Sequence, residues 1–176
     1  MLFTLVFLIE SVSAKCYTTK PGLTILGAEY HKEYELNYAQ CGRACYMDVS
    51  CMAFEWSTTN NECTLKARSL NGTFTNKSDV YFGLCLDRSD PENMRDLFYD
   101  HELGGKEYAS DIKIDRDFCP KFCMNNKKDG QQLKHLSFTW RPNDPEDPDA
   151  VIGSCACVEI VHFVKLQFGS ISAYLG

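Results

Sequence analysis

No stretch of this 176-residue sequence is apolar for long enough to cross a bilayer as a helix. The most apolar stretch, residues 151–175, is interrupted by Glu159, His162 and Lys165. The run from Leu2 to Ile9 falls well short of the roughly 20 residues that a span requires. A soluble mature chain without a transmembrane segment is therefore expected. Basic charge is not in excess either. Residues 15–85 carry seven basic and seven acidic side chains, residues 86–176 carry eleven and sixteen, and the formal net charge is -6. Phosphate binding needs a basic patch, so nucleic acid is excluded as the expected partner. Catalytic patterning is lacking too. His31, His101, His135 and His162 stand outside any nucleophile elbow or His-Glu-x-x-His helix. The acids Asp144, Glu146, Asp147 and Asp149 lack the Asp-x-Asp-x-Asp-Gly spacing that wraps a calcium ion. The chain is read as non-enzymatic, with no catalytic residue, metal or cofactor.

What the chain has instead is cysteine, ten residues of it. That density is usual in oxidising compartments, where small modules are held by disulfides because they cannot bury enough apolar surface. The N-terminus supplies a route there. The apolar core Leu2–Ile9 is followed by Val12-Ser13-Ala14, small residues at the positions a signal peptidase reads. Residues 1–14 are thus expected to be a cleaved signal peptide and Lys15 the mature N-terminus. In a secreted chain with an even count, Cys-x-x-x-Cys and Cys-x-Cys pairs point to disulfides before zinc.

An internal repeat organises the rest. Leu26-Gly27-Ala28-Glu29-Tyr30 is echoed by Leu103-Gly104-Gly105-Lys106-Glu107-Tyr108, and Cys41-x-x-x-Cys45 by Cys119-x-x-x-Cys123. Ala53-Phe54-Glu55-Trp56 is echoed by Ser137-Phe138-Thr139-Trp140, and Tyr81-Phe82-Gly83 by Tyr174-Leu175-Gly176. Two modules follow, residues 15–85 and 86–176, with Asp87–Glu102 expected as the linker and the start of the second. Asn37 and Asp115 are read as helix N-caps, opening helices over 38–47 and 116–125 whose paired cysteines share a face. Pro120 predicts a later start or a bend in the second helix. The Phe-x-Trp pairs read as strands with both aromatics turned toward the helix. Residues 141–153, with three prolines and four acids in eight consecutive positions, read as an exposed acidic loop. The expected class is α+β: disulfide-rich small modules, each an antiparallel β-sheet packed on one α-helix.

Cys16, Cys41, Cys45, Cys51, Cys63 and Cys85 have the order and spacing of a PAN/apple domain, including Cys51-Met52-Ala53-Phe54-Glu55-Trp56 after the helix and Cys63-Thr64-Leu65 on the next strand. The first copy resembles that family closely; the second resembles it only through the repeat. The resemblance implies bridges Cys16–Cys85, Cys41–Cys63 and Cys45–Cys51. It also implies a module that binds extracellular protein or carbohydrate through its loops and sheet faces. The second copy departs from the pattern: it lacks the first and sixth cysteines together, and His135 stands where Cys51 stood. The strand instead carries Cys155 and Cys157. Two parallel helix-to-strand bridges among Cys119, Cys123, Cys155 and Cys157 are geometrically reasonable, and either pairing satisfies the spacing.

Tyr30, Tyr34 and Tyr38, four residues apart, are candidate ligand contacts, since tyrosine combines area with a hydrogen-bonding tip, although such a stripe more often packs on the module's own sheet. Two sequons, Asn71-Gly72-Thr73 and Asn76-Lys77-Ser78, lie in a polar stretch read as a connection between strands. Glycans at Asn71 and Asn76 would keep that edge out of any interface. The functional expectation is a secreted binding or adhesion protein. Alternatives are a protease or haemostasis inhibitor presenting Arg141–Gly153, or a matrix component.

Overall fold

The computed structural model describes residues 16–85, 97–147 and 149–175. The expected signal peptide and most of the expected linker lie outside the described residues.

In the first copy the helix begins where its cap predicts. The Asn37 side chain accepts from the Gln40 amide at 2.9 Å and the Gln40 side chain accepts from the Asn37 amide at 2.9 Å. This capping box satisfies two otherwise orphaned donors at the start of α1 (Tyr38–Met47). Strands β1 (Cys16–Thr18), β2 (Leu23–Ile25) and β3 (Glu29–Glu33) precede the helix. After it come β4 (Cys51–Ser57), β5 (Cys63–Ala67), β6 (Gly72–Asn76) and β7 (Val80–Cys85). Five of them form an antiparallel sheet in the order β1-β7-β4-β5-β3. Phe54 and Trp56 share the face that meets α1, as the two-residue period requires. Phe54 is buried against the helix cysteines, and Trp56 Nε1 donates to the Leu36 carbonyl at 2.7 Å. Gly83 pairs with Phe54 across the sheet, and a Cβ there would overlap the Phe54 ring. That close approach explains the glycine.

The second copy runs β8 (Phe98–Asp115), a 3-10 turn over Arg116–Phe118, α2 (Cys119–Asn125), β9 (Ser137–Pro142) and β10 (Ile152–Tyr174). Asp115 caps the 3-10 turn, accepting from the Asp117 amide at 2.8 Å, and Pro120 occupies the first turn of α2, where its missing N–H is not needed. The helix is accordingly shorter than residues 116–125. β10 pairs with β8 over most of its length, and both of its ends, Gly153–Val158 and Ile171–Tyr174, pair with β9. The expected acidic loop shrinks from 141–153 to the stretch between β9 and β10, because Arg141 and Pro142 finish one strand and Ile152 and Gly153 begin the other.

Register refines the repeat. Trp56 pairs with Cys63 and Trp140 with Cys155, so Cys155 takes the place of Cys63, and Cys157, opposite Phe138, takes the place of Leu65. By the same register Gly83 corresponds to Ala173, three residues before the Gly176 suggested by sequence alone. The bridges follow suit. Cys16–Cys85, Cys41–Cys63 and Cys45–Cys51 close the first copy, as the family resemblance implied. Cys119–Cys155 repeats Cys41–Cys63, and Cys123–Cys157 replaces the missing partner of His135's position with a cysteine on the neighbouring strand. Both modules are thus antiparallel sheet with one helix, held by disulfides.

The modules are not separate bodies. A second sheet runs β2-β6-β10-β8, with β9 alongside β10. β6 pairs with β2 through Phe74–Asn76 and with β10 through Gly72 and Thr73. This corrects the reading of Asn71 and Asn76. The stretch between them is a strand at the module boundary, because Thr73, Phe74 and Thr75 favour extended backbone and Phe74 turns inward, edge-on to Phe82 at 5.4 Å. One apolar cluster spans the joint: Ile25, Leu70, Phe82 and Leu84 from the first copy meet Phe98, Leu103 and Val164 from the second. Tyr17 stacks on Tyr174 at 4.2 Å, and buried His101 of β8 reaches the Arg68 carbonyl at 2.9 Å through Nε2 and the Tyr99 carbonyl at 2.8 Å through Nδ1.

Candidate functional site

The three tyrosines singled out in sequence go to three different environments. Tyr38, at the first position of α1, lies against Phe54, Trp56 and Tyr81 at ring distances of 5.5, 6.1 and 5.5 Å, and burial pushes its hydroxyl pKa up. It packs, half-buried, on the sheet of its own module. Tyr34 is 60% exposed in the turn after β3. Tyr30 lines a concave surface.

A β-bulge brings it there. Glu29 pairs with Lys66 and His31 with Leu65, so Tyr30 is an extra residue with no partner in β5. A bulge re-aims the side chain it inserts. Tyr30 swings toward the C-terminus of α1 and donates its hydroxyl to Asp48 Oδ2 at 2.7 Å. The second copy repeats the device. Tyr108 is skipped between the Cys157–Ala109 and Val158–Glu107 pairs, and its hydroxyl donates to the Cys123 carbonyl on α2 at 2.9 Å. The repeated Glu-Tyr of the sequence is therefore the signature of a bulge that ties strand to helix end.

Beyond this shared tie the copies diverge. In the first, His31 and Glu33 of β3, Ala44 and Met47 of α1, Val49 beyond the helix and Leu65 as floor line an open groove of about 600 Å³ together with Tyr30 and Asp48. That volume is in the range of ligand sites. Met47 and Val49 are 59% and 76% exposed, an apolar pair at a helix end with no role in either core. Asp48 accepts from the Ser50 amide at 2.8 Å and from Tyr30, and these bonds, the backbone one first, hold its carboxyl below the usual range. Conversely, burial and the neighbouring Asp48 raise the Tyr30 hydroxyl pKa, so it stays a donor. His31 lies 3.1 Å from Glu33. Counting from the aligned helix cysteines, the second copy has Asn125, Asn126 and Lys127 where the first has Met47, Asp48 and Val49. Only the first copy combines apolar wall and carboxylate.

The other candidates settle differently. Cys119, Cys123 and Cys155 bring their sulfurs within 4.8 Å of one another, but every cysteine is in a disulfide, so these sulfurs are not free thiolates. In the acidic loop, Asp144 Oδ1 accepts from the Glu146 amide at 2.9 Å and Asp147 Oδ1 from the Asp149 amide at 3.0 Å, so the carboxylates shape the loop's own turns. Asn71 and Asn76 are exposed at the two ends of β6. Among the described residues no helix is long and apolar enough to cross a membrane.

The groove was invisible to sequence inspection, since its walls come from residues 30–33, 44–49 and 65. Its one legible signal was Tyr30 itself.

Comparison with known proteins bears on the first copy. The family model described as the PAN domain matches residues 16–84. No curated protein matches the chain significantly. Among solved structures the chain is similar to the two N-terminal apple domains of Toxoplasma gondii microneme protein 4, at 12% identity and a TM-score of 0.30, over 92% of this chain and 87% of that one.

Proposed function

We propose, from the match of residues 16–84 to the PAN domain, a fold whose members act as binding modules, that the protein is a secreted, non-enzymatic recognition protein that binds an extracellular protein or carbohydrate. The observation that carries the reading is the groove beside β3. It unites an exposed aliphatic pair, Met47 and Val49, with a tyrosine and a carboxylate fixed to each other at 2.7 Å. Apolar area with a few oriented polar groups is the usual make-up of a ligand site. The five disulfides and the absence of free thiols support an oxidising destination. Exposed sequons at Asn71 and Asn76, at the ends of β6, fit the same destination, and neither residue lines the groove.

The test is a screen of the disulfide-intact protein against glycan arrays and purified extracellular matrix and cell-surface proteins, run beside a Met47→Glu/Val49→Glu variant. Both side chains are exposed, so the variant is expected to fold normally. A ligand that binds the native protein and is lost by the variant supports the groove. Ligands that bind both proteins equally would refute it.

A further inference from the structure

We infer that the groove takes an extended segment of a partner protein that presents lysine or arginine between aliphatic residues, laid along the outer edge of β3. The inference rests on the proposed binding role and names its ligand class. Three observations converge on it.

Among the described residues β3 is the last strand of its sheet, paired with β5 on one side only. An edge strand offers main-chain donors and acceptors to an incoming strand, and alternate side chains of that strand then fall into adjacent recesses. The recess here lies beside this edge, since Tyr30, His31 and Glu33 form one of its walls.

Charge chooses the sign of the partner. The lining contains Glu33 and Asp48, and no lysine or arginine. Lys32, on the same strand, is held by Glu62 on the neighbouring side. Lys66 is buried against Glu29 at 2.7 Å. Arg68 donates through Nε to the Val49 carbonyl at 2.8 Å and lines a different cleft, with Met52 and Phe98. Asp48 is held ionised by the Ser50 amide and the Tyr30 hydroxyl, and a carboxylate with two such donors keeps lone pairs for an ammonium or guanidinium.

The apolar wall chooses a side chain over a sugar ring. A saccharide site relies on open aromatic faces and several unengaged polar groups. The groove has one aromatic ring, Tyr30, whose hydroxyl is already committed to Asp48. Met47, Val49, Ala44 and Leu65 instead offer aliphatic surface, with a thioether that adapts to varied shapes. The methylene stem of lysine or arginine matches that surface while the cationic head reaches the acids, and the alternating valine or leucine faces the other side of the added strand. The corresponding positions of the second copy, Asn125, Asn126 and Lys127, offer no carboxylate, and Lys127 would repel a cationic segment.

The experiment is a titration of the isotope-labelled, disulfide-intact protein with a capped hexapeptide alternating lysine and valine, and with counterparts carrying glutamate or serine in place of lysine. The lysine peptide is expected to shift the amide signals of His31, Glu33, Asp48 and Val49 and to leave the second module unmoved. Its affinity should fall about fivefold in Asp48→Asn and in Glu33→Gln, and by a similar factor when salt is raised from about 0.05 to 0.5 M. Glu33→Gln leaves the Tyr30–Asp48 tie intact, so a loss there cannot come from unfolding of the bulge. Equal binding of the glutamate or serine peptide, or shifts confined elsewhere, overturns the inference. If the lysine peptide fails while a ligand from the screen is still lost by Met47→Glu/Val49→Glu, the ligand class is wrong and the groove stands. If no ligand is sensitive to that variant, both fall.

Discussion

Leu103→Ala should loosen both modules at once. Leu103 lies on β8 of the second copy, is fully buried, and belongs to the cluster that Ile25, Leu70 and Phe82 of the first copy share. Its main chain stays tied to Thr139 in either case, so the change removes packing alone. Truncating a buried leucine costs about 3 kcal/mol from lost transfer energy and the residual cavity. With a urea dependence of about 2 kcal/mol per M for a chain of this size, the midpoint should drop by about 1.5 M. The chain provides its own reporters, since Trp56 sits on β4 of one copy and Trp140 on β9 of the other. Fluorescence of single-tryptophan backgrounds, Trp56→Phe and Trp140→Phe, then follows each module separately. Each is compared with and without Leu103→Ala, and the two transitions should shift together. A shift seen by Trp140 with Trp56 unmoved would mean that the shared sheet and core do not couple the modules, and the single-unit description would fail.

Four further outcomes follow from particular contacts. Gly105→Ala should be severely destabilising, because a Cβ there would overlap the Ile160 carbonyl oxygen, backbone that has no rotamer to escape into; thermal unfolding and secreted yield would register it. Replacing Cys123 and Cys157 together by alanine should lower stability by about 2 kcal/mol, less than for a lone bridge because Cys119–Cys155, still formed in a peptide map, keeps nearly the same loop closed in the unfolded chain. Lys66 and Glu29 should respond unequally. Glu29→Gln strands a fully buried ammonium, whereas Lys66→Met leaves a half-exposed carboxylate in water, so urea midpoints should fall further for the first. The same pair predicts the acid limb. Glu29 is held below the usual range first by its bond to Lys66, Glu62 by Lys32 and Asp48 by Ser50 and Tyr30. Depressed carboxylates contribute stability above their unfolded pKa of about 4 and lose it as pH falls through the folded value, so midpoints should be level above pH about 5 and decline below about 4. A decline beginning near neutrality would contradict this.

Cysteine spacing and aromatic pairs were enough to place the first copy's helix and its cap, because each rests on residues close in sequence; its three bridges came from the family resemblance, since spacing alone leaves the pairing of six cysteines open. Asn37 and Gln40 are three apart, and Phe54 and Trp56 two apart; local geometry alone puts each pair to use. The repeat was legible for the same reason, down to the cysteine pairs on α1 and α2. The sequence could not choose between two pairings of Cys119, Cys123, Cys155 and Cys157, since helix and strand periods allow both. Only the register of β9 against β10, with Trp140 opposite Cys155, selects one. Nor could alternation reveal that Tyr30 and Tyr108 are bulge residues, because a bulge exists only relative to the strand alongside it. The role of β6 was hidden likewise: its neighbourhood, residues 71–78, in which Asn, Gly, Thr, Lys and Ser surround a single Phe, reads as polar connection until β2 and β10 supply hydrogen-bonding partners on either side. Composition and spacing thus determined the modules, while the strands that met across them decided the joint, the last two bridges and the groove, all of which depend on which distant backbones come to lie side by side.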